Sequence, residues 1–340
     1  MAKCIYEDKG SWRVIKLNRP EKLNVLDEEL VDQFQYIIES GLSNESIKAF
    51  VVCGEGDKSF CAGGDVVSVI EGQKAGRPYD FFFQKEYKLD QMLHQCSKPV
   101  ISMVHGITMG GGMGLLMGGD LKLAEKHTIF AMPEITIGFF PDVGASYFLN
   151  RIPKELKLFL GMTGARFSAE NAKDWGLIDK VISRKDLFEM IENDLSFNEV
   201  RNAISQNDDG NQEIPSLLRE LREVLDFDSL DSFDTSLRGL KGKTHISDPI
   251  LQALKIYEGG SPLSKLLTWE YFSQTSEISI KESFLLDIEM SHFVAENGDF
   301  HEGVRALLID KDKKPKWKDG DLSEARERCA GKLQDILSKF

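Results

Sequence analysis

Three consecutive glycines are the residues of this sequence best placed to do chemistry. Gly110, Gly111 and Gly112 stand between an apolar run that ends at His105 and a second apolar segment that begins at Leu115. Because a glycine has no Cβ, a substrate atom can approach its backbone N–H group. The N–H groups at a helix start have no intrahelical partner and favour a negatively charged ligand. The pattern of strand, glycine turn and helix therefore predicts an oxyanion hole.

Two carboxylates, Glu134 and Asp142, follow the glycines on the same predicted loop. Carboxylates beside an oxyanion hole are the usual groups for acid–base work on an acyl group. Glu134 lies in an apolar run, where an unpaired carboxylate is costly, and this favours function over a surface-loop position. For Asp142 the pattern alone favours a structural role, the capping of a helix from Val143 to Asn150.

A second glycine turn lies earlier in the chain, in the segment Ser59–Asp65. Its Gly63 and Gly64 could supply the second backbone N–H that a two-donor oxyanion hole needs. Taken alone, the turn is better explained as a tight turn with Asp65 as a helix cap. Glu86 lies in a helix-length segment with large apolar residues, and because a lone helical glutamate is usually solvated, the pattern gives it no role.

The first fifty residues predict an α/β fold. Trp12–Leu17 alternates like a half-buried strand, Asp27 precedes a helical apolar pattern, and Ala49–Cys53 reads as a buried strand. A strand, helix and strand in this order predict parallel pairing with a right-handed crossover.

The rest of the chain divides near residue 194. Before it, strands are predicted at Leu121–Ala124 and Thr128–Met132, followed by two short helical pieces between Thr163 and Ile182. Beyond it, the polar segments 207–211 and 226–234 indicate a boundary or a long insertion. The remaining chain is predicted to be helical: Pro262–Ala295 has helix-length stretches, and Ala325–Phe340 indicates a last amphipathic helix.

Composition limits the partners and the compartment. The chain has 340 residues, 41% hydrophobic and 29% charged, with a net charge of −13, which argues against nucleic acid or an anionic membrane as the main partner. Five cysteines without a CxxC pair predict reduced thiols in an intracellular protein and no zinc site. We expect no signal peptide or membrane span, and the ending Ser338–Phe340 only weakly resembles a peroxisomal signal.

These motifs together resemble the crotonase (enoyl-CoA hydratase/isomerase) superfamily and, within it, the 3-hydroxyisobutyryl-CoA hydrolase family. The match lies in six blocks in the family's order: Leu17–Asn24, Phe60–Asp65, His105–Gly112, Met132–Glu134, Gly138–Gly144, and Asp299–Ala306 with Pro315–Trp317. The resemblance implies an α/β spiral of repeated ββα units over residues 1–193 and a mostly helical region over 194–340 that packs over the active site.

The resemblance also implies an acyl-CoA thioester as substrate, with its carbonyl held by the backbone N–H groups of Gly64 and Gly111. Hydratases of the superfamily carry one glutamate two residues after the glycine triplet, and here that position is Gly114. Glu134 matches the second hydratase glutamate, Asp142 matches the second acid of the hydrolases, and Glu86 matches their substrate-contacting glutamate. Catalysis is thus expected from Glu134, Asp142, Gly64 and Gly111, with Glu86 orienting the acyl group.

The activity implied is hydrolysis of a short 3-hydroxyacyl-CoA, with 3-hydroxyisobutyryl-CoA, an intermediate of valine degradation, as the first candidate and 3-hydroxypropionyl-CoA next. Glu134 would act as nucleophile or as general base, and both remain open. An enoyl-CoA hydratase or isomerase is the first alternative. A non-catalytic CoA-binding relative is the second, and the presence of both glycine turns and all three carboxylates disfavours it.

No metal, nucleotide redox cofactor or flavin is implied, since coenzyme A is part of the substrate. Arg19, Lys22 and Lys58 are candidates for contact with the CoA phosphates, although loop cations are more often only solvated. A homo-oligomer is compatible with the superfamily. A cytoplasmic or mitochondrial matrix location is favoured over a peroxisomal one.

Overall fold

The computed structural model describes residues 2–205 and 216–340, so the predicted turn-rich segment 207–211 lies outside the described residues. The strands of the described residues are β1 (Cys4–Lys9), β2 (Trp12–Leu17), β3 (Ala49–Gly54), β4 (Ser59–Cys61), β5 (Val100–Val104), β6 (Ile107–Met109), β7 (Leu121–Ala124), β8 (Ile129–Ala131), β9 (Phe167–Ser168) and β10 (Lys180–Val181).

The α-helices of the same residues are α1 (Glu28–Ser43), α2 (Val66–Lys74), α3 (Phe81–His94), α4 (Gly111–Met117), α5 (Ala145–Phe148), α6 (Lys154–Thr163), α7 (Ala169–Asp174), α8 (Arg184–Glu192), α9 (Phe197–Ser205), α10 (Ser216–Val224), α11 (Leu230–Arg238), α12 (Asp248–Gly259), α13 (Pro262–Gln274), α14 (Ile280–Asn297), α15 (Phe300–Val304) and α16 (Leu322–Leu337). Short 3-10 turns are formed by Pro20–Lys22, Glu134–Ile137 and Leu149–Arg151, and Arg305–Ile309 forms a π-helix.

A six-stranded sheet follows the order β1-β2-β3-β5-β7-β10. β1 and β2 are antiparallel, whereas the pairs from β2 onward are parallel. The strand–helix–strand unit predicted from the first fifty residues is therefore confirmed, with α1 between β2 and its parallel partner β3. The side chain of Asp27 accepts the N–H of Leu30 at 2.9 Å and caps α1, as its position before the apolar pattern predicts.

A second, four-stranded sheet follows the order β4-β6-β8-β9 and explains how the predicted site residues are placed. Each of its first three strands follows one strand of the large sheet, in the pairs β3–β4, β5–β6 and β7–β8, and a helical segment comes next each time. The repeated ββα unit is thus confirmed. Gly64, Gly111 and Glu134 all follow a small-sheet strand by two or three residues.

Two local predictions are incomplete. The predicted glycine turn is present at Gly110, directly before α4, but the additional strand β6 lies between His105 and this turn. The segment from Thr163 to Ile182 contains α7 as predicted, but also the two-residue strands β9 and β10, which are too short to show a period in the sequence.

The chain forms two compact units. The first comprises the described residues of Met1–Asp65, Gln84–Phe130 and Phe167–Glu213. One face of its large sheet packs against α8 and α9, and the side chains of this core are all buried: Trp12, Val14, Val51, Ile101, Met103, Leu121 and Leu123 from the strands, and Leu187, Ile191, Val200 and Ile204 from the helices.

The second unit comprises the described residues of Val66–Phe83, Ala131–Arg166 and Ile214–Phe340 and is mostly helical. Its helix α13 is buried on nearly every side, because apolar and small residues surround the whole helix instead of forming one stripe. The division at residues 193 and 194 stays a prediction. No helix within residues 2–205 and 216–340 is long and apolar enough to cross a lipid bilayer.

Candidate active site

The two glycine turns of the first unit lie side by side. Gly63 has a φ of +108°, a conformation that side chains disfavour, and a Cβ built on it would lie 3.8 Å from the backbone nitrogen of Gly111. A Cβ on Gly112 would lie 2.3 Å from the carbonyl oxygen of Cys61, closer than any real contact. A side chain at position 112 would therefore push the two turns apart.

The N–H of Gly64 is directed away from its neighbouring backbone at Leu26. Leu26 donates its N–H to the carbonyl of Gly63 at 2.9 Å, and its own carbonyl accepts the N–H of Asp65 at 2.7 Å. In such a parallel bridge the residue between the two bonds, here Gly64, points its N–H and carbonyl to the opposite side. This orientation is compatible with the donor role predicted for Gly64.

Gly111 is the first residue of α4, and Gly110 before it has a φ of +51°. The first N–H groups bonded within α4 are those of Met113 and Gly114, which donate to the carbonyl of Gly110 at 2.7 and 3.3 Å. The N–H of Gly111 precedes these bonds and belongs to the group that a helix leaves without an intrahelical partner. The structure therefore brings the second predicted donor next to the turn of the first.

Glu86 is buried against the glycine turn that contains Gly111. It lies on α3 and is 2% exposed, so the expectation of a solvated glutamate is wrong. A Cβ on Gly111 would lie 2.0 Å from its Oε1, which means that the carboxylate rests directly on the glycine backbone. Burial, and to a smaller extent the charge of Glu86, raise the pKa of the neighbouring Cys61 thiol, which therefore stays neutral.

Glu134 is the first residue of the 3-10 turn that follows β8 and belongs to the second unit. It is 6% exposed, so it is not a surface-loop carboxylate. Its carbonyl accepts the N–H groups of Gly138 and Phe139, which closes the turn. Gly138 has a φ of +71°, and a Cβ there would lie 2.6 Å from the backbone of Asp299, so the turn is packed directly on the start of α15.

Asp142 is also buried, and it is not the cap that its pattern predicted. The helix begins at Ala145 and its N-cap is Gly144, so the expectation that Asp142 caps a helix from Val143 is wrong. The reason is a pair of left-handed residues: Val143 has a φ of +51° and Gly144 of +82°. For a β-branched valine this conformation is strained, and such strain is found where surrounding contacts enforce it.

The contact that enforces this turn comes from Asp287 on α14. Its Oδ2 accepts the N–H of Gly144 at 2.8 Å, and its Oδ1 accepts the hydroxyl of Tyr271 at 2.5 Å. The Tyr271 hydroxyl in turn accepts the N–H of Ser146 at 3.2 Å. Burial and the charge of Asp142 both raise the pKa of Asp287 well above its ordinary value.

Sequence reasoning missed Asp287 and also Tyr79, a buried residue between α2 and α3. A signal for Asp287 was present, since it lies on the buried face of α14 with Leu286, Met290 and Val294, where a carboxylate needs a partner. No comparable indication for Tyr79 is present in the sequence, because a tyrosine among phenylalanines is typical of an ordinary hydrophobic core.

The three candidate cations for CoA phosphates differ in their surroundings. Arg19 is 9% exposed, and its guanidinium lies 3.1 Å from a carboxylate oxygen of Asp27 and 3.3 Å from one of Asp65. Two carboxylates therefore already pair with its charge within the fold, and its assignment to a CoA phosphate stays a prediction. Lys22 and Lys58 are exposed, and their assignment stays a prediction.

The enoyl-CoA hydratase/isomerase family model matches residues 12–333 of the chain. The chain therefore belongs to this family, and the predicted fold class is confirmed. A crystal structure of an enoyl-CoA hydratase from Rhodobacter sphaeroides is similar with a TM-score of 0.85 and 27% identity, over 99% of this chain and 97% of that one. A carnitinyl-CoA dehydratase from Mycobacterium thermoresistibile has the same TM-score and identity, over 99% and 96%.

Curated relatives narrow the resemblance to one branch. The chain is 33% identical to the mitochondrial 3-hydroxyisobutyryl-CoA hydrolase of Danio rerio, over 99% of this chain and 91% of the relative. The mitochondrial 3-hydroxyisobutyryl-CoA hydrolase of Homo sapiens is also 33% identical, over 95% and 86%. The predicted resemblance to this hydrolase family is confirmed.

Proposed function

We propose that this protein hydrolyses a short 3-hydroxyacyl-CoA thioester, with 3-hydroxyisobutyryl-CoA as the first substrate and free CoA and 3-hydroxyisobutyrate as products. The relatives named 3-hydroxyisobutyryl-CoA hydrolase support this assignment. The observation that carries it is the set of acidic groups. Glu134 and Asp142 are both buried carboxylates, whereas position 114, inside α4, is a glycine and offers no side chain.

In the proposed reaction the N–H groups of Gly64 and Gly111 stabilise the oxyanion that forms when the thioester carbonyl is attacked. Each such donor contributes about 3 kcal/mol in comparable sites. Glu134 either attacks the carbonyl carbon itself or removes a proton from an attacking water. In the first route a mixed anhydride forms as the CoA thiolate leaves, and water then cleaves the anhydride and restores the carboxylate.

Asp142 either binds the 3-hydroxyl of the acyl chain or donates a proton to the leaving thiolate, and Glu86 orients the acyl group. The reaction needs no resident metal or cofactor. The names of the relatives, which are mitochondrial enzymes, support a mitochondrial location, for which the matrix is the proposed compartment and the cytoplasm the alternative. A homo-oligomer is the proposed assembly.

Glu134→Gln tests the proposal, because glutamine keeps the shape of the side chain but neither attacks a carbonyl nor accepts a proton from water. We expect release of free thiol from 3-hydroxyisobutyryl-CoA to fall by at least about 1,000-fold while the ester still binds. Free thiol is followed with a thiol reagent, and ester binding by calorimetry. The matched control is Glu296→Gln, which changes an exposed glutamate of the same unit. Substantial turnover by Glu134→Gln would contradict the assignment.

The alternative function is enoyl-CoA hydration, which the structural relatives named enoyl-CoA hydratase and carnitinyl-CoA dehydratase favour. Enoyl absorbance separates the two reactions, since hydration removes the conjugated double bond without releasing thiol. Loss of absorbance without thiol release would replace hydrolysis with hydration.

A further inference from the structure

Tyr79 belongs to an aromatic cluster of the second unit that includes a residue of the loop carrying Asp142. Its ring centroid lies 5.5 Å from that of Phe83 and 5.6 Å from that of Phe300. Both phenylalanines also contact Phe139, at 5.1 and 5.2 Å. Phe139 precedes Asp142 on the same loop. The aromatic cluster, defined as Tyr79, Phe83, Phe139 and Phe300, therefore supports the loop that carries this carboxylate.

The hydroxyl of Tyr79 is the one feature of the residue that packing does not explain. The residue is 9% exposed, and within residues 2–205 and 216–340 its hydroxyl oxygen is buried without a hydrogen-bond partner. A phenylalanine would make the same ring contacts and would avoid burying a polar atom without a bond. The hydroxyl therefore indicates a partner that the described part of the chain does not supply.

The same helix, α14, anchors the loops of Tyr79 and Asp142. Asp80, the residue after Tyr79, lies 2.8 Å from the ring nitrogen Nε2 of His292, and Asp287 holds Gly144 two residues beyond Asp142. With a rise of about 1.5 Å per residue, the two anchoring residues are roughly 7.5 Å apart along the helix axis. Burial, followed by the charge of Asp142, raises the pKa of Tyr79 well above its ordinary value. The phenol is thus a protonated donor within electrostatic range of Asp142.

We propose that Tyr79 is a specificity-determining residue whose hydroxyl donates a hydrogen bond to the 3-hydroxyl oxygen of the acyl chain while Asp142 accepts the proton of that hydroxyl. The inference rests on the proposed function, because it names the residue that recognises the substrate class given there. An alcohol carries one donor and two acceptor sites, an ionised carboxylate only accepts, and a phenol can donate. The two side chains therefore complement the two roles of one substrate hydroxyl.

This arrangement makes the protein selective against acyl chains that lack the hydroxyl. An unsubstituted chain would leave the Tyr79 hydroxyl without a bond in the complex, and sites built to bond a hydroxyl reject such analogues strongly. Isobutyryl-CoA has the carbon skeleton of 3-hydroxyisobutyryl-CoA without the hydroxyl, so this pair of esters isolates the contact.

The test is Tyr79→Phe, assayed with both esters by thiol release. We expect the ratio of kcat/KM for 3-hydroxyisobutyryl-CoA to that for isobutyryl-CoA to fall roughly 10- to 100-fold relative to wild type, the size of one lost hydrogen bond to a buried group. An unchanged ratio would overturn the inference and leave the hydrolase function standing. If wild type cleaves neither ester, the proposed function fails. The inference about Tyr79 is then tested by calorimetric binding of both esters to wild type and Tyr79→Phe, and an equal loss of affinity for both esters in the variant would overturn the inference.

Thermal stability supplies a second readout, because loss of a structural hydroxyl and loss of a substrate-binding hydroxyl change the melting temperature differently. Tyr257 is the matched control, because its buried hydroxyl donates to Asp234 at 2.9 Å. Tyr257→Phe should lower the melting temperature, whereas Tyr79→Phe should leave it equal or slightly higher in the absence of ester. A clear fall for Tyr79→Phe would assign the hydroxyl to the fold and overturn the inference.

Discussion

The two units place their predicted site residues by different means. In the first, the predicted oxyanion donors are backbone N–H groups, and glycines let one turn touch another, as Gly112 does at Cys61. In the second, the turn that carries the predicted acid Asp142 is held by a distant side chain, since the N–H of Gly144 is bonded by Asp287, 143 positions away. The backbone donors need the absence of a side chain, whereas the Asp142 turn needs a specific partner from elsewhere in the chain.

The largest effect is expected where the glycine contact is broken. In Gly112→Ala the new Cβ would meet the carbonyl oxygen of Cys61 at 2.3 Å, so the turns must separate. We expect kcat to fall by about 100-fold or more, as when one oxyanion donor is lost. Steady-state thiol release measures kcat, and circular dichroism checks the fold.

The control for this change is Gly331→Ala on α16, where a Cβ would meet nothing within 4 Å. There the substitution should leave kcat unchanged and stabilise the fold by roughly 0.5–1 kcal/mol, because alanine favours a helix over glycine. Near-normal kcat in Gly112→Ala would show that the first unit does not depend on close approach of its turns.

A smaller effect is expected where the distant partner is removed. Asp287→Ala leaves the N–H of Gly144 and the hydroxyl of Tyr271 without their acceptor. We expect the free energy of unfolding to fall by about 2–4 kcal/mol and kcat by about tenfold, since the strained turn at Val143 can relax. Asp287→Asn, which keeps an acceptor, should recover part of both losses. Urea unfolding and steady-state kinetics measure them, and equal behaviour of the two variants would argue against a positioning role.

The smallest effect concerns pH. Because burial and the charge of Asp142 raise the pKa of Asp287 in the folded chain, the folded state binds more protons than the unfolded state above the ordinary carboxyl range. The stabilisation is therefore present at low pH and is lost as the pH rises toward the folded pKa. The free energy of unfolding of wild type, minus that of Asp287→Asn, should increase as the pH is lowered from 7.5 to 5. A difference that stays flat or declines on acidification would contradict the raised pKa.

The same contrast explains what the sequence could predict. The large-sheet strands β2 and β3, helix α1 and both glycine turns follow from local periods and from glycine chemistry. Glu134 was recognisable because it is an acid in an apolar run. Strand β6 was not, because three residues are too few to show alternation.

The second unit was harder to predict for a physical reason. The conformation of the Asp142 turn depends on Asp287 and Tyr271, and pairwise contacts between distant residues leave no local pattern. The acidic segment 226–234 was expected to be turn-rich, yet it enters α11, whose start is capped by Ser229. The assignment of residue roles at the site remains a prediction.

The left-handed valine has a consequence for protein engineering. A loop whose unfavourable backbone conformation depends on a carboxylate of a distant helix cannot be transferred to another protein by itself. Transplanting Phe139–Gly144 into a different scaffold without its Asp287 counterpart would allow Val143 to return to an ordinary conformation and would turn the Asp142 side chain elsewhere. Redesign of this turn must therefore carry both segments together.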